Sequence, residues 1–136
     1  MNHKTIVVLF RDSNAKRCIK FYNLSTDDFS LIPHPTFVEE QVDSQTSILI
    51  PIHGGIIACG TSLDCIILLS ENKSENIQRK LSVQFESTTL VCSYTQYDNS
   101  SYLLGTINGN LYKLEVEYSL LGHSSYPSDL RLHYLG

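Results

Sequence analysis

The chain has 136 residues, 42% of them hydrophobic and 18% charged, with a formal net charge of −4. That is the length of one ordinary domain with the apolar share of a globular one, which excludes a disordered or collagenous chain. No apolar run approaches the ~18 residues of a membrane-spanning helix, and an acidic balance without a Lys/Arg cluster argues against electrostatically driven nucleic-acid binding.

Met1-Asn2-His3-Lys4 leads into only six apolar-rich residues before Arg11-Asp12, unlike a secretory signal. Two alanines stand against 12 Ile, 7 Val, 9 Thr and 8 Tyr. Alanine favours helices, whereas β-branched and tyrosine side chains suit a pleated surface, so the chain reads as all-β.

The apolar run Thr5–Phe10, the polar stretch 11–16 and the mixed run Cys18–Leu24 predict a hairpin. Residues 25–36, with Pro33 and Pro35, read as a loop, and Phe37–Val42 as strand or loop with a short helix conceivable. Ile48–Ile52 predicts a strand interrupted by Pro51, which cannot donate to a central ladder. His53-Gly54-Gly55 turns the chain into Ile56–Cys59, Gly60–Asp64 turns it again, and Cys65–Leu69 follows as a strand. Residues 70–80 are polar and poorly patterned. Thr88–Tyr94 predicts a strand, Asp98–Ser101 a turn and Tyr102–Leu104 a strand. Asn108-Gly109 signals a hairpin of type I′, which needs positive φ at both central residues. Leu111–Glu117 alternates partially, and Leu130–Leu135 supplies the last strand.

A repeat organises these elements. Gly60-Thr61, followed by Ile66 and Leu69, lies 45 positions before Gly105-Thr106, followed by Leu111 and Leu114. Phe10 stands where Cys59 and Leu104 stand, about one period earlier. Periods of ~40–50 residues with several short strands mark β-propeller blades. Propellers need ~4–8 blades to close, so residues 1–136 predict a partial propeller domain, an arc of about three antiparallel blades with open ends. Its outer blades would show bare apolar faces.

No site survives a search for chemistry, and the sequence predicts neither an enzyme nor a cofactor or metal site. Cys18, Cys59, Cys65 and Cys92 lack a C-x-x-C pair and mostly sit in strand-like runs, where a free thiol is a small hydrophobe. His3, His34, His53, His123 and His133 are scattered, without the spacing of a zinc face. His53-Gly54-Gly55 has the flavour of an esterase oxyanion loop, yet no G-x-S-x-G elbow accompanies it. Gly105–Gly109 lacks the Gly-Lys-Ser/Thr ending of a P-loop. Asn23-Leu24-Ser25, Asn72-Lys73-Ser74 and Asn99-Ser100-Ser101 match the glycosylation triplet, which matters only in the secretory route. Asp27-Asp28 and Glu39-Glu40 are adjacent pairs whose members point to opposite faces of a strand, as solvated surface does.

Several segments together resemble the large three-propeller scaffold proteins of the CPSF-A/MMS1 type. Thr5–Phe10 with Arg17–Ser25 resembles the family's opening hairpin, with Phe21 and Tyr22 shifting its aromatic pattern. Ile48-Leu49-Ile50-Pro51, then Gly54-Gly55-Ile56-Ile57 and Gly60, is similar to the family's Val-Pro, Gly-Gly and Ile-Gly strand pair. Thr89-Leu90-Val91-Cys92 matches a strand just before the most specific stretch, Tyr102-Leu103-Leu104-Gly105 through Gly109-Asn110-Leu111-Tyr112-Lys113-Leu114. Asp129-Leu130-Arg131-Leu132 to Leu135-Gly136 resembles the next blade's opening strand. Residues 65–80 depart from the pattern, with Cys65–Leu69 and a long polar segment in place of an Ile-Thr-Tyr strand and a short Asn-Gly turn.

The resemblance points to the first propeller, closest to the damaged-DNA-binding branch that serves as adaptor of the cullin-4 ubiquitin ligase. It implies a non-enzymatic interaction scaffold in nuclear DNA repair, present in the nucleus or also the cytoplasm. The implied partners are further blades of a larger protein and substrate receptors of the ligase. No membrane is implied, and nucleic-acid binding belongs to the family rather than to this segment. The resemblance assigns no contact residues here. Two alternatives remain open: a propeller segment in pre-mRNA splicing or 3′-end processing, and a stand-alone ligand-binding β-barrel.

Overall fold

The computed structural model describes residues 3–34, 39–68 and 80–136. These form twelve strands and no helix, gathered into three antiparallel sheets, as the composition predicts. The chain divides into two compact units, Met1–Ser44 and Gln45–Gly136.

The first unit is built on a long hairpin, β1 (His3–Arg11) and β2 (Arg17–Ser25), paired in unbroken register from His3↔Ser25 to Arg11↔Arg17. The Asp12 carboxylate closes the turn by accepting the amides of Asn14 and Lys16, both at 2.9 Å. The second edge of β2 carries two short strands. β3 (Leu31–Pro33) pairs with Tyr22–Leu24, and β4 (Glu39–Gln41) pairs with Cys18–Lys20. The segment read as a loop thus contains a strand, and the ambiguous 37–42 stretch is a strand at Glu39–Gln41. Together β3 and β4 act as one interrupted third strand, so this sheet is three strands deep rather than a full blade. Pro33 fits because β3 lies at the sheet edge, where no ladder needs its missing N–H.

The second unit contains two complete meanders. One runs β5 (Ile48–Ile52), β6 (Gly55–Cys59), β7 (Ser62–Ile67) and β8 (Lys80–Gln84). The other runs β9 (Val91–Asp98), β10 (Ser101–Thr106), β11 (Leu111–Leu121) and β12 (Ser124–Tyr134). Alternate residues from both sheets meet in one core: Ile50, Ile57, Cys59, Leu63, Cys65 and Ile67 from the first, and Tyr102, Leu104, Tyr112, Leu114, Val116 and Leu130 from the second. Phe85, just past β8, and Val91, the first residue of β9, complete it, and the Phe85 ring meets Tyr112 edge-on at 5.0 Å. Apolar alternation at period 2 puts these side chains on the shared face.

Several boundaries differ from those read in the sequence. Pro51 does not interrupt β5. That strand pairs only with β6, and Pro51 stands opposite Ile56 while the neighbouring Ile52 closes on Gly55, so the ring sits on the open edge. The turn after Cys59 is only Gly60-Thr61, because Leu63 folds back opposite Cys59 at once. The segment 69–79 lies outside the described residues. β8, just beyond it, shows the alternation Leu81, Val83 and Phe85 that the sequence reading passed over.

The Asn108-Gly109 hairpin forms, though not as type I′. Only Gly109 has positive φ (80°), and its amide donates to the Thr106 carbonyl at 3.0 Å while Thr106 donates to Asn110 at 3.0 Å. That is a type I turn followed by a left-handed glycine, the three-residue solution. β11 and β12 also run much further than predicted, meeting at the turn Gly122-His123 with Gly122 at φ 64°.

The repeat is real in space and slips in one place. Ile57 faces Cys65 and Cys59 faces Leu63, just as Tyr102 faces Leu114 and Leu104 faces Tyr112. Equivalent residues are therefore 45 apart on the second strand of each sheet (102 − 57) and 49 apart on the third (114 − 65). The four added residues lengthen the β10–β11 hairpin, which is why Ile66 is buried while Leu111, its partner in the uniform 45-residue alignment, is exposed.

Candidate interaction surface

Three carboxylates, Asp28, Asp98 and Asp64, hold turns or tie strands together. Asp28 accepts from both the amide (3.0 Å) and the hydroxyl (2.8 Å) of Ser30, and these bonds hold its carboxyl below the usual range. Asp98 accepts the Ser100 amide at 2.9 Å and is lowered chiefly by that bond. Asp64 is buried in β7, where Ser62 donates to it at 3.2 Å and Ser82 donates from β8. A buried carboxylate with hydroxyl donors on both flanks is satisfied and ties neighbouring strands together.

The thiols follow the same logic. Cys59 and Cys65 lie wholly inside the second unit's core, and burial pushes both up to about 12. Such thiols are poor nucleophiles, because the thiolate is the reactive form. Cys18 is buried in the first unit, and Cys92 is the exposed cysteine, on β9. The five histidines are dispersed over β1, the end of β3, two turns and β12. Among the described residues, no three His, Cys, Asp or Glu side chains gather where they could hold a metal ion. His53-Gly54 is the two-residue turn between β5 and β6, and Gly55 opens β6. A Cβ at Gly55 would lie 2.5 Å from the Ile66 carbonyl, so close backbone approach explains that glycine. Glu39 and Glu40 fall on successive positions of β4, and the triplets at Asn23 and Asn99 lie in β2 and a tight turn. The triplet at Asn72 is outside the described residues.

What the chain displays is surface. The face of β10–β12 turned away from the core carries a run of charge. Glu115 lies 3.6 Å from Lys113 and 3.3 Å from His133, and Arg131 reaches Glu117 at 2.8 Å. Lys113 also sits over the Tyr97 ring at 5.4 Å. Leu111 and Leu135 add apolar area at one end. The face is mixed rather than bare apolar as expected, because alternate positions of β11 and β12 are charged and pair across the ladder. Exposed pairs of this kind contribute little stability.

The β11–β12 hairpin continues past the end of β10 as a two-stranded arm. A bulge at Ser128 shifts the register between Glu117↔Asp129 and Tyr118↔Pro127, and Pro127 is fully buried there. The arm lies on the β5–β6 turn: Tyr118 meets the His53 ring at 5.8 Å, and the space beside Gly54 is filled by Pro127. Burial pushes the Tyr118 hydroxyl up to about 12. The sequence reading missed this arm, since residues 118–129 are rich in Ser and lack strict alternation.

Two consecutive four-stranded meanders with equivalent inward residues are successive propeller blades. A family profile described as the RSE1/DDB1/CPSF1 first beta-propeller matches residues 1–136. The chain belongs to that family. Proteins named DNA damage-binding protein 1 from Solanum lycopersicum and Solanum cheesmaniae are each 29% identical to it over 139 aligned positions, covering 93% of this chain. The chain spans about 12% of the length of those relatives. It is a first-propeller segment of this scaffold family. The departure at 65–80 is resolved in part: Cys65–Ile67 ends β7 within the core, and the polar insertion precedes β8.

Proposed function

We propose that the chain is a segment of the first β-propeller of a non-enzymatic adaptor in a cullin-type ubiquitin ligase acting in nuclear DNA repair. The observation that carries this reading is the pair of complete blades sharing one core along a chain that matches the family's first propeller throughout. The names of the tomato relatives favour the damage-binding branch. In this role the sheets hold turns and edges rigidly while substrate receptors dock on them, as connecting loops on a stiff scaffold allow. The other partners are neighbouring blades, which cover apolar area such as Leu111 and Leu135.

Affinity purification of the intact protein, read by mass spectrometry, tests the pathway. Cullin and receptor subunits in stoichiometric amounts are expected; splicing or 3′-end-processing subunits in their place would transfer the reading to the RNA-processing branches of the same family. The arc itself is tested on the 136-residue chain alone. It should bind hydrophobic dye and self-associate, whereas a monodisperse monomer with a sharp two-state melt would remove the need for neighbouring blades.

A further inference from the structure

The β2–β3 turn presents a large apolar side chain on a left-handed backbone. Phe29 has φ 57° and is 76% exposed. A left-handed backbone is cheap for Gly or Asn and unfavourable for a bulky residue, and outliers of this kind persist where the surroundings impose them. The surroundings here are a tightly bonded turn. The Ser25 amide donates to the Ser30 carbonyl at 2.9 Å, and Ser30 donates twice to Asp28. Leu31 and Ile32 follow directly in β3, each 52% exposed, on an edge strand. Three large apolar side chains thus stand in water within four residues, beside the exposed carboxylates of Asp27 and Asp28. The hydrogen bonds to Asp28 favour its charged form. Lys4 lies opposite Leu24, which in turn lies opposite Leu31, so among the described side chains of this corner two carboxylates stand against one lysine.

We propose that this turn is a preformed docking knob, with Phe29 as anchor, for a partner protein that offers an apolar pocket rimmed by lysine or arginine. Charge decides the occupant. A second copy of this chain, itself at net −4, would set the same carboxylates against each other, whereas a basic rim pairs with Asp27 and Asp28. Rigidity adds to affinity, because an anchor already held in its bound backbone conformation loses little freedom on binding. The inference does not rest on the ubiquitin-ligase reading and stands whichever branch the protein serves.

The test places p-benzoylphenylalanine at position 29 of the intact protein, followed by ultraviolet crosslinking in cells and mass spectrometry of the adduct. A discrete adduct to a different protein is expected, through a peptide containing Lys or Arg, and Asp27→Lys should reduce its yield roughly tenfold. An adduct confined to the same polypeptide or to a second copy overturns the proposal. So does an adduct to nucleic acid or lipid, one indifferent to Asp27→Lys, or no adduct. Phe29→Gly separates docking from folding: its melting midpoint should stay level or rise by about 2–4 °C as backbone strain is relieved. A fall in midpoint would mean that Phe29 serves the fold, and would overturn the knob.

Discussion

Residues 45–136 and residues 1–44 use the same hairpin chemistry to different depth. In the second unit two full meanders share one interior, to which the β6–β7 and β10–β11 hairpins send alternate side chains and β9 sends only Val91. In the first, a hairpin of two nine-residue strands meets an interrupted third strand, and the buried apolar side chains among the described residues are Cys18, Ile19, Phe21 and Val42. Hairpins of this kind need a covered face before they hold on their own. A sheet with a second one laid against it thus buries many more apolar side chains than a single ladder holds by itself.

Core truncation tests this most severely. Leu114→Ala, in the shared interior, should cost about 3–4 kcal/mol in urea denaturation, whereas Leu9→Ala in half-buried β1 should cost about 1 kcal/mol. Equal losses would break the comparison. Gly55→Ala should rival the larger figure, at roughly 3 kcal/mol, since the new Cβ meets the Ile66 carbonyl rather than a side chain that can move.

Thiol labelling sharpens the same contrast without perturbing the core. Cys92 should react at once, Cys18 when the first unit opens, and Cys59 and Cys65 only when the second unfolds. A gap on the order of 100-fold in protection between Cys18 and Cys65 is expected, equal to about 3 kcal/mol of opening free energy. A gap below threefold would merge the units into one cooperative block.

Alkali comes next. Because Cys59, Cys65 and Tyr118 carry folded pKa values raised to about 12 from 9.0, 9.0 and 10.0, their contribution is complete below pH 9 and lost as pH climbs toward 12. The variant Cys59→Ala/Cys65→Ala should be less stable at neutral pH and yet show a flatter decline above pH 9. The smallest effect lies at the acid end. Asp98 and Asp28 are lowered from 3.8, so their turn bonds contribute above that pH and fade as it falls through the folded values. Asp98→Ala should therefore differ from the parent at pH 6 and converge with it near pH 2.

Much of this architecture was legible because burial writes itself as period 2. Ile56–Cys59, Tyr102–Leu104 and Leu111–Glu117 announced their strands, and the two Gly-Thr pairs announced the repeat. β3 was hidden, and β4 left undecided between strand and loop, because three-residue strands carry too little pattern to rise above the prolines and acids around them. The outer halves of β11 and β12 were hidden because a two-stranded arm needs no apolar alternation; its turn glycine and its bulge at Ser128 define it instead. The type I turn at Thr106–Gly109 was misread because Asn-Gly serves two backbone solutions, and the hydrogen bonds around Thr106 select one. At the surface, Phe29 gave no warning, since φ is not written in residue type.

The slip from 45 to 49 between the two blades has an evolutionary reading. All four extra residues are absorbed as added length in one hairpin, so the inward positions opposite each other are undisturbed. A lineage can lengthen or recolour such a fingertip repeatedly while the interior never registers the edit, leaving partner choice free to drift on a fold that stays still.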